Sequence, residues 1–147
     1  MSVDLRFIYR VGRYDINRQK VISNICNIAS QHITLPDYIE IEFCSLNQNV
    51  YAETLVNFKF KNRIRINESI SIKELVKPLV HELIHLNQIH TGKLQTNDRG
   101  IYLWENIPYR PKSDVLTNYG SYVNLPWEVD ARAREDQLLL LVLKDAE

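Results

Sequence analysis

Three of the four histidines in the chain lie within residues 80–90, "VHELIHLNQIH". Residues 81–85 read H-E-L-I-H, which is the pattern H-E-x-x-H. Residues four apart on an α-helix lie one turn apart on the same face, so two imidazoles with this spacing can bind one Zn²⁺ ion. The glutamate between them can then take a proton from a metal-activated water. The motif predicts a hydrolytic zinc site with His81 and His85 as ligands and Glu82 as the general base.

A third ligand must come from elsewhere in the chain, because a catalytic zinc ion has three protein ligands and one open position. His90 falls opposite His81 on a helix that turns by about 100° per residue, and it is a weak candidate unless that helix ends early. Carboxylates in residues 124–135, "NLPWEVDARARE", are better placed. Glu128 is preferred because it flanks the apolar side of a predicted helix in its first turn. Glu135 is the reserve, so the residues alone leave three candidates.

Other polar groups could contact the metal ligands or the substrate. Gln88 shares the helix face of the two motif histidines, and we expect it to hydrogen-bond a ligand or the substrate. Asp130 is a weaker candidate for holding a ligating imidazole. Four tyrosines lie between the two motifs, and Tyr119 and Tyr122 are the preferred candidates for stabilising an oxyanion in the reaction.

Three helices are predicted to position these residues. Apolar side chains at helical spacing predict an amphipathic helix over residues 17–32. Ser71 and Glu74 have capping-box spacing at the start of the helix that carries the metal motif. Pro78 either kinks that helix or marks its first turn. The last helix is predicted over residues 126–144 and opens on a proline, which suits a first turn.

Alternating apolar and polar residues predict a sheet. Residues 38–44, "YIEIEFC", alternate strictly, as in a strand with one buried face. Residues 50–60 and 61–67 continue in the same style, and "VDLRFIYRV" near the N-terminus resembles a first strand. We therefore expect an α+β fold, with a small, mostly antiparallel sheet packed on the active-site helix and with an N-terminal and a C-terminal helix. Residues 92–124 are expected to form loops.

Composition narrows the class of protein. The 147 residues suit a single domain, residues 1–147. A formal net charge of zero argues against nucleic acid as the main partner. No signal-peptide pattern occurs, and the apolar run "LLLLVL" at residues 138–143 is too short to span a membrane. We expect a cytoplasmic protein without a membrane partner, in which Cys26 and Cys44 are buried free thiols.

The segment "HELIHLNQ" followed by "LPWEVDARA" resembles the minimal H-E-x-x-H zinc metallopeptidases of the zincin group, in the branch whose third ligand is a glutamate on a later helix. It is especially similar to small phage-encoded metallopeptidases. The resemblance implies that His81, His85 and Glu128 bind zinc, that Glu82 is the general base, and that the substrate is a peptide or protein. Arg132 stands where thermolysin-like enzymes have an aspartate, so that subfamily is not supported.

Two other functions remain open at this point. A phage-type protein can use a zincin-like metal-binding fold without catalysis, for example as a structural component assembled into the virion. A protease of this kind can also act in regulation by cutting a repressor or another DNA-bound protein. The resemblance places the protein in the host cytoplasm or in the virus particle.

Overall fold

The computed structural model of the chain describes residues 3–47, 49–55, 62–109 and 124–145. Helices and strands are both present in quantity, and the predicted α+β class is confirmed. The elements follow in the order β1 (Asp4–Tyr9), α1 (Ile16–Ala29), β2 (Tyr38–Cys44), β3 (Ala52–Thr54), β4 (Arg63–Asn67), α2 (Ile72–His90), β5 (Leu94–Thr96), β6 (Tyr102–Trp104), β7 (Ile107–Tyr109) and α3 (Pro126–Asp145).

The main sheet has four strands in the order β1-β2-β4-β3, and it is mixed. The pairs β1–β2 and β2–β4 are parallel, and only β3–β4 is antiparallel. The expectation of a mostly antiparallel sheet was therefore wrong for these strands. The helix α1 connects β1 to β2, and a crossover of this length is what a parallel pair needs. The alternation of apolar and polar residues along β2 indicates that one face of the strand is buried. It does not indicate whether the neighbouring strands are parallel or antiparallel.

The face of β2 and β4 opposite their buried isoleucines carries paired charges. The register places Glu40 beside Arg63 and Glu42 beside Arg65. The nitrogen–oxygen distance is 3.0 Å in both pairs, and Arg10 adds a third contact to Glu42 at 2.7 Å. These pairs explain how acidic side chains alternate with the fully buried isoleucines of β2. The other face of the sheet packs against the helices.

A second sheet lies in a region that was expected to form loops. The order of its strands is β5-β6-β7, and both pairings are antiparallel. Glu105 and Asn106, both with positive φ, form the two-residue turn between β6 and β7. Each strand has three residues, which is too short for periodicity to reveal. Residues 110–123, including Tyr119 and Tyr122, lie outside the described residues.

The helix α2 lies at the centre of the fold. It begins as predicted, with Ser71 and Glu74 exchanging both bonds of a capping box. Pro78 lies inside the helix and does not mark its first turn. The helices α1 and α3 and the strands β3 and β5 all contact α2. Its face with the two motif histidines is therefore largely buried beneath α3 and β3.

The two flanking helices complete the core. The helix α1 ends at Ala29, three residues earlier than predicted, and α3 spans the predicted range with one residue more at its C-terminal end. Cys26 and Cys44 are buried free thiols, as expected. None of the helices in the described part of the chain combines the length and apolarity that crossing a bilayer requires.

Replacing Ser71 with alanine should lower the free energy of unfolding by about 1 kcal/mol, because the amide of Glu74 loses its capping oxygen. Thermal or denaturant unfolding of the purified protein measures this difference. Ser71→Thr is the matched control, since threonine also caps helices, and it should lose clearly less. Equal losses in the two variants would contradict a role for the hydroxyl.

Candidate metal centre

Glu128 meets the two motif imidazoles where α3 crosses α2. The Nε2 atoms of His81 and His85 are 3.1 Å apart. Glu128 Oε1 lies 2.9 Å from Nε2 of His85 and 3.4 Å from Nε2 of His81. The carboxylate is in the first turn of α3 and is only 2% exposed. The structure thus brings together the three side chains that were the preferred ligands.

The spacing and chemistry of these atoms suit a metal ion. Ligand atoms at about 2.0–2.1 Å from a tetrahedral zinc ion lie about 3.3 Å from one another. The three observed separations, 2.9, 3.1 and 3.4 Å, lie around that value. Two imidazole nitrogens and one carboxylate oxygen also form a donor set typical of catalytic zinc. The group could therefore hold a metal ion.

Both imidazoles have a partner on the side away from the cluster. Nδ1 of His85 lies 2.8 Å from Oε1 of Gln88, and Nδ1 of His81 lies 3.4 Å from Oε1 of Glu135. Each ring thus turns its Nε2 atom toward Glu128. Glu135, the reserve ligand, lies on the outer side of His81 and is not part of the cluster. Partners of this kind orient ligating histidines and fix their tautomers.

Gln88 is fully buried, so one of its two predicted roles is excluded. Its carbonyl oxygen contacts His85, and its amide nitrogen donates to the carbonyl of Trp127 and to the carboxylate of Asp130, at 2.9 Å each. No part of the side chain is left for a substrate. Asp130 was expected to hold an imidazole directly, but it reaches His85 only through Gln88.

Glu82 lies beside the cluster, and a residue of the main sheet, Thr54, forms a hydrogen bond with it. The hydroxyl of Thr54 on β3 is 2.8 Å from Oε1 of Glu82 and 3.2 Å from the backbone oxygen of the same residue. Glu82 is 8% exposed. Sequence reasoning missed Thr54, because it is 28 residues away from Glu82 and belongs to no local motif. Only the packing of β3 on α2 brings the two together.

The site favours positive charge. Burial by itself would lower the pKa of His85, but the hydrogen bond to Glu128 and the charge of Glu82 raise it to about 9. Burial by itself would raise the pKa of Glu128, but hydrogen bonds from His81 and His85 hold it well below its usual range. Burial raises the pKa of Glu82, against the effect of the imidazoles. A cation between the imidazoles and the carboxylate would compensate the same negative charge that now favours a proton on the imidazoles.

The remaining histidines lie elsewhere. His90 is the exposed last residue of α2 and is not part of the group that could hold a metal. His32 follows α1, and its Nε2 atom is 3.4 Å from the carboxylate of Asp145. Of the candidates for the third ligand, only Glu128 reaches the cluster.

Aromatic packing fixes the start of α3. The rings of Tyr102 and Tyr109 lie nearly perpendicular to the ring of Trp127, with centroid distances of 5.2 and 5.9 Å. These two tyrosines therefore pack against the residue that precedes Glu128, and they hold the hairpin of β6 and β7 against α3. Tyr119 and Tyr122 lie outside the described residues, so their role as oxyanion donors stays a prediction.

Comparison with protein-family models, with curated proteins and with solved structures finds no significant match to the chain.

Zinc affinity should rise with pH between about 7 and 9. In the metal-free protein the pKa of His85 is about 9, so its imidazole carries a proton at pH 7 that zinc must displace. Calorimetric titration with zinc in buffers of different ionisation enthalpy should show release of about one proton or more per ion at pH 7. An affinity that does not change over this range, with no proton release, would contradict the protonated state of His85.

Proposed function

We propose that the chain is a zinc-dependent metallopeptidase with a minimal zincin-like site. The observation that carries the proposal is the meeting of His81, His85 and Glu128, with a fourth group, Glu82, held beside them. Among the described residues this group has three protein ligands, and structural zinc sites usually have four. Three ligands leave one position for water or substrate, which favours catalysis over a purely structural metal.

The roles of the residues follow from their positions. Zinc, when bound, supplies a Lewis acid that polarises a carbonyl group and lowers the pKa of water. Glu82 accepts a proton from the attacking water and returns it to the leaving amine. Its pKa is raised by burial, toward the neutral range in which a general base works best. The side chain of His81 is 19% exposed and that of Glu128 only 3%, so access to the cluster is from the side of His81.

The strand β3 supports a peptide as the substrate. It is one of the two edge strands of the main sheet among the described strands, and it contacts α2. Leu55 donates to the carbonyl of Arg63, and the carbonyl of Tyr51 accepts from Asn67, so these positions of the β3 chain face β4. By alternation, the backbone groups of Ala52 and Thr54 face away from β4, on the side where no other described strand pairs with β3. An extended peptide added at this edge would pass next to Glu82.

Glu82→Gln should abolish cleavage of a peptide library while one zinc ion per chain is retained. Glutamine cannot accept the proton, and we expect the rate to fall by roughly 10²–10⁴-fold. Elemental analysis gives the zinc content, and mass spectrometry of the library gives the cleavage.

Glu105→Gln is the matched control, since Glu105 is an exposed glutamate on the β6–β7 turn, and it should cleave like the wild type. A wild type without zinc, or without cleavage of any peptide, would contradict the proposal. Zinc binding together with a biological activity that survives Glu82→Gln would favour the non-catalytic alternative.

Thr54→Val should lower kcat by about tenfold or more and leave the zinc content unchanged, because Glu82 loses the hydroxyl that orients its carboxylate. Thr54→Ser keeps the hydroxyl and should stay close to the wild type. Steady-state kinetics on one peptide separates kcat from KM in both variants. A change in KM alone would indicate that Thr54 contacts the substrate and does not position the base.

A further inference from the structure

The amide of Gln88 links a metal ligand on α2 to the helix that carries another ligand. Gln88 is fully buried, and each of its polar atoms has a partner. Its oxygen lies 2.8 Å from Nδ1 of His85. Its nitrogen donates to the carbonyl of Trp127 and to the carboxylate of Asp130, both on α3 and both at 2.9 Å.

These partners determine which way the amide points. A backbone carbonyl and a carboxylate are both acceptors, so the amide nitrogen must face α3. The amide oxygen must then face His85, and an oxygen can only accept there. Nδ1 of His85 therefore keeps its proton, so loss of the proton on Nε2 leaves the neutral tautomer whose Nε2 lone pair points at the cluster. This tautomer is the one that a metal ligand bound through Nε2 needs.

The same amide sets the register between the two helices. Trp127 and Asp130 lie on either side of Glu128 in the first turns of α3. Two hydrogen bonds from one buried side chain therefore hold the residues around Glu128 against α2. A slip of α3 by one residue would break both bonds and would carry the carboxylate away from the imidazoles.

Asp130 is itself held in place. Nη1 of Arg134 donates to Asp130 at 3.1 Å, and Nη2 of the same arginine donates to Oδ1 of Asn87 at 2.7 Å. Asn87 precedes Gln88 on α2 and also donates to the carbonyl of Thr34. A second connection between α2 and α3 thus lies beside the first; it meets the first at Asp130 and makes no direct contact with either imidazole.

We propose that Gln88 is a positioning residue of the metal centre, which selects the metal-binding tautomer of His85 and holds Glu128 in register. The inference rests on the proposed metal site, but it does not require that the site cleaves peptides. The proposal distinguishes Gln88 from Asn87, which lies next to it on the helix and makes a comparable contact to α3 but contacts no metal ligand.

The test is the dissociation constant for Zn²⁺, measured by competition with a chromophoric chelator on the full chain. Gln88→Met keeps the length of the side chain and removes its hydrogen bonds. We expect zinc binding to weaken by about 10–100-fold, the usual effect of losing such a partner. The absorption spectrum of bound Co²⁺ should change as well, because His85 loses its fixed orientation. Unchanged affinity, within about threefold of the wild type, would overturn the proposal.

Asn87→Leu is the matched control for stability. It removes a buried contact between α2 and α3 without touching a ligand, so it should lower the unfolding temperature but change zinc affinity by less than about threefold. An equal loss of zinc affinity in Asn87→Leu and Gln88→Met would indicate that Gln88 only stabilises the packing of α2 on α3, and it would overturn the proposal. If the wild type binds zinc but cleaves no peptide, only the proposed peptidase function is contradicted. If the wild type binds no zinc, both the peptidase function and the positioning role of Gln88 are contradicted.

Discussion

The site depends on a buried carboxylate, Glu128, placed between two imidazoles where α3 crosses α2. A carboxylate that is almost fully buried is costly unless opposite charge or hydrogen bonds compensate it. In the metal-free protein a proton on the imidazoles provides that compensation, which is why the pKa of His85 is raised and that of Glu128 lowered. The metal ion that we propose would provide it more fully, because it would bind all three groups at once. The packing of α3 on α2 and the chemistry of the site are therefore linked.

The other elements of the fold hold α2 and α3 in the positions where they cross. The ion pairs of Glu40 and Glu42 with arginines on β4 satisfy the charges on one face of the sheet, and the isoleucines of the other face share a core with the helices. The helix α2 is enclosed there by α1, α3 and β3. Thr54 on β3 and Gln88 on α2 then hold the two groups that need orientation, Glu82 and His85. Both contacts are made by neutral polar side chains, which add no further charge to the interior.

Much of the fold could be predicted because its signals are local. The capping box at Ser71, the alternation in β2 and the proline at the start of α3 each depend on neighbouring residues. The direction of the strands could not be predicted in this way, since alternation reveals a covered face and not the partner strand. The second sheet was missed because a three-residue strand has no periodicity to detect.

The sequence by itself determined that His81 and His85 share a helix face with Glu82 between them, because helical geometry places residues four apart on one side. It also made Glu128 the preferred partner without excluding Glu135. Only the tertiary structure decided between them, since the distance from His81 to a carboxylate 47 residues away depends on how two helices pack. The same packing buries Gln88 and brings Thr54 to Glu82. Contacts of this kind arise when distant segments share one core, and no local pattern in the chain encodes them.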